Sequence, residues 1–199
     1  MKVFLLPVLI VSVNAVAVMT VPISTVSAGS TDHIPVVESF DPARYLGTWF
    51  ELVRSDHSFE RDLTHVTATY LRMDSGRIRV INRGYNSVKK SWKETKARGY
   101  LEPGSTRGEF AVMFFWPFRA RYRIIELADD YSYAVVTSNS IEYFWLLSRT
   151  PEMPEEKIQE IIARAAAWGF DTGSFLRIPQ TPEVHETSPY TPEPGGPDQ

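Results

Sequence analysis

Between Leu46 and Arg149 the sequence is a succession of short strand-like runs separated by turn residues, and this spacing constrains the fold more than any other feature. Runs fall at 47–54, 64–73, 77–85, 91–102, 107–115, 121–127, 132–138 and 142–148. The breaks between them are polar or carry Gly or Pro, as in Asp74-Ser75-Gly76, Asn86-Ser87, Pro103-Gly104-Ser105, Trp116-Pro117 and Asp129-Asp130. Connections this short join antiparallel neighbours in up-and-down order. One long helix follows. Pro151 and Pro154 precede Glu155-Glu156, Ile158, Ile161, Ile162, Ala165 and Ala166 recur at helical spacing, and Trp168-Gly169 closes the pattern. One amphipathic helix covers one side of a sheet. The predicted fold is all-β: an eight-stranded antiparallel up-and-down β-barrel with one C-terminal α-helix packed outside.

Alternation along the strands sorts side chains into two faces. In 78–83, Ile78, Val80 and Asn82 face inward while Arg79 and Arg83 face water; in 122–125, Tyr122 and Ile124 face inward and Arg123 outward. The predicted inner wall comprises Val53, Ala68, Tyr70, Ile78, Val80, Asn82, Val112, Phe114, Tyr122, Ile124, Val136, Tyr143 and Trp145. Such a wall suits an acyl chain, with Tyr70, Asn82, Tyr122 and Tyr143 available to a polar head. An eight-stranded barrel is either filled by its own side chains or holds one small ligand, and alternation alone does not choose. If Trp49 faces inward then so does Glu51, and a buried carboxylate requires a partner. A paired structural role is expected for it rather than a catalytic one.

Three segments resemble the lipocalin family, in the family's order. They are Gly47-Thr48-Trp49 opening the first strand, Asp129-Asp130-Tyr131 between strands six and seven, and Ser148-Arg149 ending strand eight. The likeness is greatest to bacterial lipocalins and runs from Phe40 to Ile178, through Val66-Thr67-Ala68-Thr69-Tyr70, Phe114-Phe115-Trp116-Pro117-Phe118 and Trp145-Leu146-Leu147-Ser148-Arg149. The resemblance implies structural roles for Gly47, Trp49, Asp130, Tyr131 and Arg149. The tryptophan would plug the closed end of the barrel with the arginine over its face, a contact worth ~1–2 kcal/mol when partly desolvated. It also implies a ligand cavity, with a lid at 55–63 that contains Asp56 and His57. The ligand expected is small and hydrophobic, a fatty acid or lysophospholipid, bound for storage or transport; the alternative is an enzyme acting on a lipid within the cavity.

The ends of the chain read differently from the middle. Lys2 and the apolar run Val3–Val18, ending in Val26-Ser27-Ala28, fit a signal peptide over 1–28 cut near Ala28. The domain is then 29–178. Residues 179–199 hold six prolines and few aliphatic side chains, so they are expected as a disordered Pro/Glu-rich tail. The tail's carboxylates, Glu183, Glu186, Glu193 and Asp198, account for the charge left once Lys2 goes with the leader, so 29–178 is neutral by count. A neutral body suits an uncharged or zwitterionic client and gives no bulk attraction for nucleic acid. The sequence has no cysteine, which excludes thiol catalysis and a thioether lipid anchor within it. The expected location is periplasmic or secreted, with any outer-membrane association made without a lipid-modified cysteine. No metal is expected, since His33, His57, His65 and His185 lack ligand spacing, and no cofactor is expected either. The turn from Trp116 to Arg123 sets aromatics beside arginines, and reads equally as a membrane contact or a loop folded back on the barrel. Lys89, Lys90, Lys93 and Lys96 read as a solvated face. The chain is expected as a monomer or homodimer.

Overall fold

The structure, a computed structural model, describes residues 29–102, 104–115 and 118–190, with the backbone alone for 114, 115 and 118. The predicted leader and residues 191–199 lie outside the described residues.

The eight strands are β1 (Gly47–Ser55), β2 (Leu63–Arg72), β3 (Ile78–Asn86), β4 (Ser91–Tyr100), β5 (Glu109–Phe115), β6 (Phe118–Leu127), β7 (Tyr133–Thr137) and β8 (Phe144–Ser148). Each neighbour pair is antiparallel, and β1 pairs with both β8 and β2, which closes the barrel. The helix α2 (Glu155–Ala167) packs outside, as the sequence predicts. Three elements lack a clear sequence signal. They are the short helix α1 (Pro42–Tyr45), the strand β9 (Phe175–Arg177), which pairs with Val53–Ser55 of β1, and the short helix α3 (Pro182–Glu186). In α1, Pro42 starts the turn and the Asp41 carboxylate accepts from the Ala43 amide. Gly47, at φ 94°, turns the chain from α1 into β1.

Two apolar layers result. The inner one includes Trp49, Tyr70, Val80, Val112, Ile124, Val136 and Leu147. The outer one joins Leu52, Val135, Phe144 and Leu146 to Ile158, Ile161 and Ala165 of α2. Burying each isoleucine fully contributes about 1.5–3 kcal/mol. Arg164 of α2 grips Glu126 through two hydrogen bonds of 2.6 and 2.8 Å, fixing the helix on β6.

Val53 corrects the predicted wall. The β1–β8 register slips between Glu51 and Val53, so Val53 pairs with Leu146 and joins the outer layer, buried under α2. A β-bulge adds one residue and inverts the alternation beyond it. Arg54, not Val53, is the residue that follows Glu51 on the inner side, opposite Trp145.

The described segments before β1 and after β9 cover the barrel. Val37 bonds to Ile124 and Gly108, and a Cβ on Gly108 would lie 2.4 Å from the Val37 side chain, so glycine permits that approach. Arg123 faces outward as predicted, yet it is buried rather than in water: it donates to Thr31 and to the Ile34 carbonyl. The tail also differs from expectation. Residues 179–190 fold against the barrel, where the buried Gln180 amide donates to the carbonyls of Glu51 (2.8 Å) and Val66 (3.0 Å), and Thr181 meets His65.

Candidate functional site

Strand direction gives the barrel two unlike ends. The loops at 73–77, 101–108 and 128–132 lie at the end where β1 starts, and the loops at 56–62, 87–90 and 138–143 lie at the other. At the first end, Trp49 is fully buried and its indole N–H donates to the Tyr45 carbonyl at 2.9 Å. The Arg149 guanidinium lies 3.8 Å from the ring centre and donates to the carbonyls of Thr48 and Arg44. The Asp130 carboxylate accepts from the Ser132 amide, and Tyr131, at φ 62°, accepts from the Asp41 amide while Arg44 covers its ring at 4.0 Å. This end is shut.

Above it three phenols meet. The hydroxyl of Tyr122 is 2.8 Å from that of Tyr45 and 2.6 Å from that of Tyr70. Burial raises all three above their ordinary value, so they stay protonated. Tyr70 and Tyr122 therefore satisfy each other and Tyr45, rather than standing free for a head group as the sequence suggested.

The open end holds a buried polar cluster. Arg54 Nη1 donates to Glu51 at 2.8 Å, and its Nη2 donates to the carbonyls of Glu60 and Leu63. Arg54 is thus the partner that Glu51 requires. Glu60 accepts from the Trp145 indole at 3.2 Å, and His57 Nε2 lies 3.1 Å from Glu60 Oε2 outside hydrogen-bonding geometry. Burial, with Glu60 nearby, raises Glu51 to about 8 against the pull of Arg54, and burial raises Glu60 as well. Burial and the Arg54 charge lower His57 to about 4, so it is neutral. The rings of His57, Phe59, Tyr143 and Trp145 cluster here, with Phe59 52% exposed.

A match to the Lipocalin-like domain covers residues 40–180. The chain belongs to the lipocalin family. It is 43% identical over 147 residues to outer membrane lipoprotein Blc of Escherichia coli (strain K12), covering 74% of this chain and 83% of the relative. It is 42% identical over 153 residues to outer membrane lipoprotein Blc of Vibrio cholerae, covering 76% and 90%. The allergen Per a 4 from cockroaches has the same fold, with a TM-score of 0.58 at 19% identity over 75% of this chain and 96% of that one.

Within this lipocalin, Ala68, Tyr70, Ile78, Val80, Val112, Tyr122, Ile124, Val136 and Trp145 all belong to the inner layer. Asn82 is half-buried opposite Ala68, and Tyr143 is half-buried at the rim. The side chain of Phe114 lies outside the described residues, as do those of Phe115, Trp116 and Phe118 at the aromatic turn. The arginines of that turn have partners: Arg121 binds Asp32 and Glu109, and Arg119 lies 4.4 Å from the ring centre of Tyr100. Sequence reasoning missed Arg54 and Glu60. The bulge hides the first, and the second sits in a loop where no periodicity applies. Lys93 was read as solvated face; it is exposed, yet it shares the register of inward Ala97 in β4, and its charge reaches Glu60. A cleft of about 470 Å³ beside Met153 and Pro179 lies on the outer surface, away from this cluster.

Proposed function

We propose that this lipocalin binds one single-chain lipid, a fatty acid or lysophospholipid, inside the barrel and carries or stores it in the cell envelope. The observation that carries this reading is the polarity gradient along the interior. A sealed aromatic floor at Trp49 gives way to aliphatic walls, Ile78, Val80, Val112 and Val136, and then to polar groups at the open end. An acyl chain with one polar head has the same gradient, and apolar pockets with few placed polar groups suit such ligands. The apolar leader supports the envelope location, as do relatives named outer membrane lipoproteins. The 199 residues hold no cysteine to which a thioether anchor could attach.

Titration with oleate or oleoyl lysophosphatidylcholine tests the reading. Saturable one-to-one binding that shifts the emission of Trp145, and loses that signal in Trp145→Phe, is the expected result. A flat titration contradicts it. The lipid should be recovered intact after incubation; a hydrolysed or isomerised product would favour an enzyme acting on lipid within the barrel instead.

A further inference from the structure

The geometry points to a second contact surface, on the outer wall of the barrel: the β3–β4 face is a cationic patch that docks on an anionic phospholipid membrane. This contact is independent of what the barrel holds. Ile78, Val80 and Ala97 belong to the inner layer, so Arg79 and Arg98, their neighbours in sequence, face outward. These two arginines are direct cross-strand partners, and both are exposed. Beside them, Arg77, just before β3, and Arg119 of β6 place their guanidinium groups 5.1 and 4.4 Å from the ring centre of Tyr100. Among the described residues, none of the four arginines has a carboxylate partner.

Folding does not account for this arrangement. Like charges directly opposite each other destabilise a strand pair, and Arg79 and Arg98 are such a pair. The carboxylates of β4 and β5 are engaged elsewhere, Glu94 by Arg83 and Lys96, and Glu109 by Arg121 and Arg123. Asp74 and Glu102, in the loops that border the patch, are exposed and form no ion pair among the described residues.

Three observations fit a membrane surface rather than a single small ligand. The outer wall of a barrel is convex, and neighbouring strands lie ~4.8 Å apart, so adjacent guanidinium groups can each take a separate phosphate, for which arginine has a bidentate fork. The row across the sheet runs Leu71, Arg79, Arg98, Met113, with a half-buried apolar side chain at either end. Apolar side chains flanking basic ones, with a tyrosine alongside, are the composition of a bilayer interface. The charge is also segregated. The helix α2 exposes Glu155, Glu156 and Glu160 and packs over β1, β7 and β8; in the ring of eight strands β8 stands opposite β4. Opposite charges on opposite sides turn the arginine wall toward an anionic surface and the helix away from it.

Co-sedimentation with vesicles of two-chain lipids tests the patch apart from the cavity. The wild type should bind vesicles of equal parts dioleoyl phosphatidylcholine and dioleoyl phosphatidylglycerol, bind pure dioleoyl phosphatidylcholine far more weakly, and lose the difference as salt is added. The double variant Arg79→Gln, Arg98→Gln should bind the mixed vesicles about thirtyfold more weakly, at about fivefold for each basic side chain near an anionic surface. Its melting temperature should hold or rise, because the like-charged pair is gone. A control that removes two charges elsewhere, Arg61→Gln with Lys157→Gln, should bind as the wild type does. Equal wild-type binding to both vesicle types, no binding to either, or an equal loss in the two double variants overturns the patch. So does a marked fall in melting temperature in the first variant, which would make the arginine pair structural. Binding to polyglutamate but not to the mixed vesicles would assign the face to an acidic protein instead. None of these failures touches the lipid-binding reading of the interior.

Discussion

The two ends of the barrel use the same residue pair, a tryptophan and an arginine, to opposite effect. At the closed end, Trp49 and Arg149 direct their N–H groups to the carbonyls of Tyr45, Thr48 and Arg44, partners that neither titrate nor leave. At the open end, Trp145 donates to the carboxyl of Glu60, and Arg54 divides its donors between Glu51 and the carbonyls of Glu60 and Leu63, with its Nε unpartnered. Backbone partners lock an element in place. Titratable side chains on a loop respond to pH and to whatever enters. The closed end is therefore read as the source of stability and the open end as the source of specificity.

The comparison breaks first at Trp49. Trp49→Ala should cost about 3–5 kcal/mol, since it leaves a cavity in the inner layer, and a urea midpoint equal to wild type would remove the closed end's structural role. Arg54→Met should cost about 3 kcal/mol by leaving Glu51 and two carbonyls without a donor. Replacing Glu51 by Leu as well should recover part of that loss, and a double variant less stable than Arg54→Met would show that the pair does not act as a unit. Arg149→Ala should cost ~1–2 kcal/mol, the cation–π contact, without altering lipid affinity.

The last comparison is with pH. Glu51, raised to about 8 from an ordinary 4.5, stabilises the fold in its protonated form, so its contribution is lost as pH rises through 8. His57, lowered to about 4, acts with the opposite sign, and stability falls as pH drops from 6.5 toward 4. His65 and His185 are also lowered by burial and act the same way. Above 6.5 these three histidines contribute little. The melting temperature should then decline between pH 6.5 and 8, and Glu51→Gln, which keeps an acceptor for Arg54, should flatten the decline. A wild-type profile already flat across that range would show that Glu51 ionises below it.

The eight strands and α2 were legible because period-two and helical spacing are local properties of the chain. Trp49 and Arg149 were legible through their motifs. Val53 was misplaced because one bulge residue inverts the faces, and nothing around Leu52 marks a bulge. Gln180 was assigned to a tail because composition measures how much apolar surface a segment can bury. It does not register a single amide that satisfies two carbonyls of β1 and β2. The open-end cluster escaped for a related reason: Arg54, His57 and Glu60 meet across a turn, and only the closed barrel brings Trp145 to them.

Native mass spectrometry of the purified protein tests the central claim most directly. A species heavier than the chain by the mass of one single-chain lipid, displaced stoichiometrically by added oleoyl lysophosphatidylcholine, is the predicted result. The bare chain mass alone, unchanged by added lipid, would contradict the account.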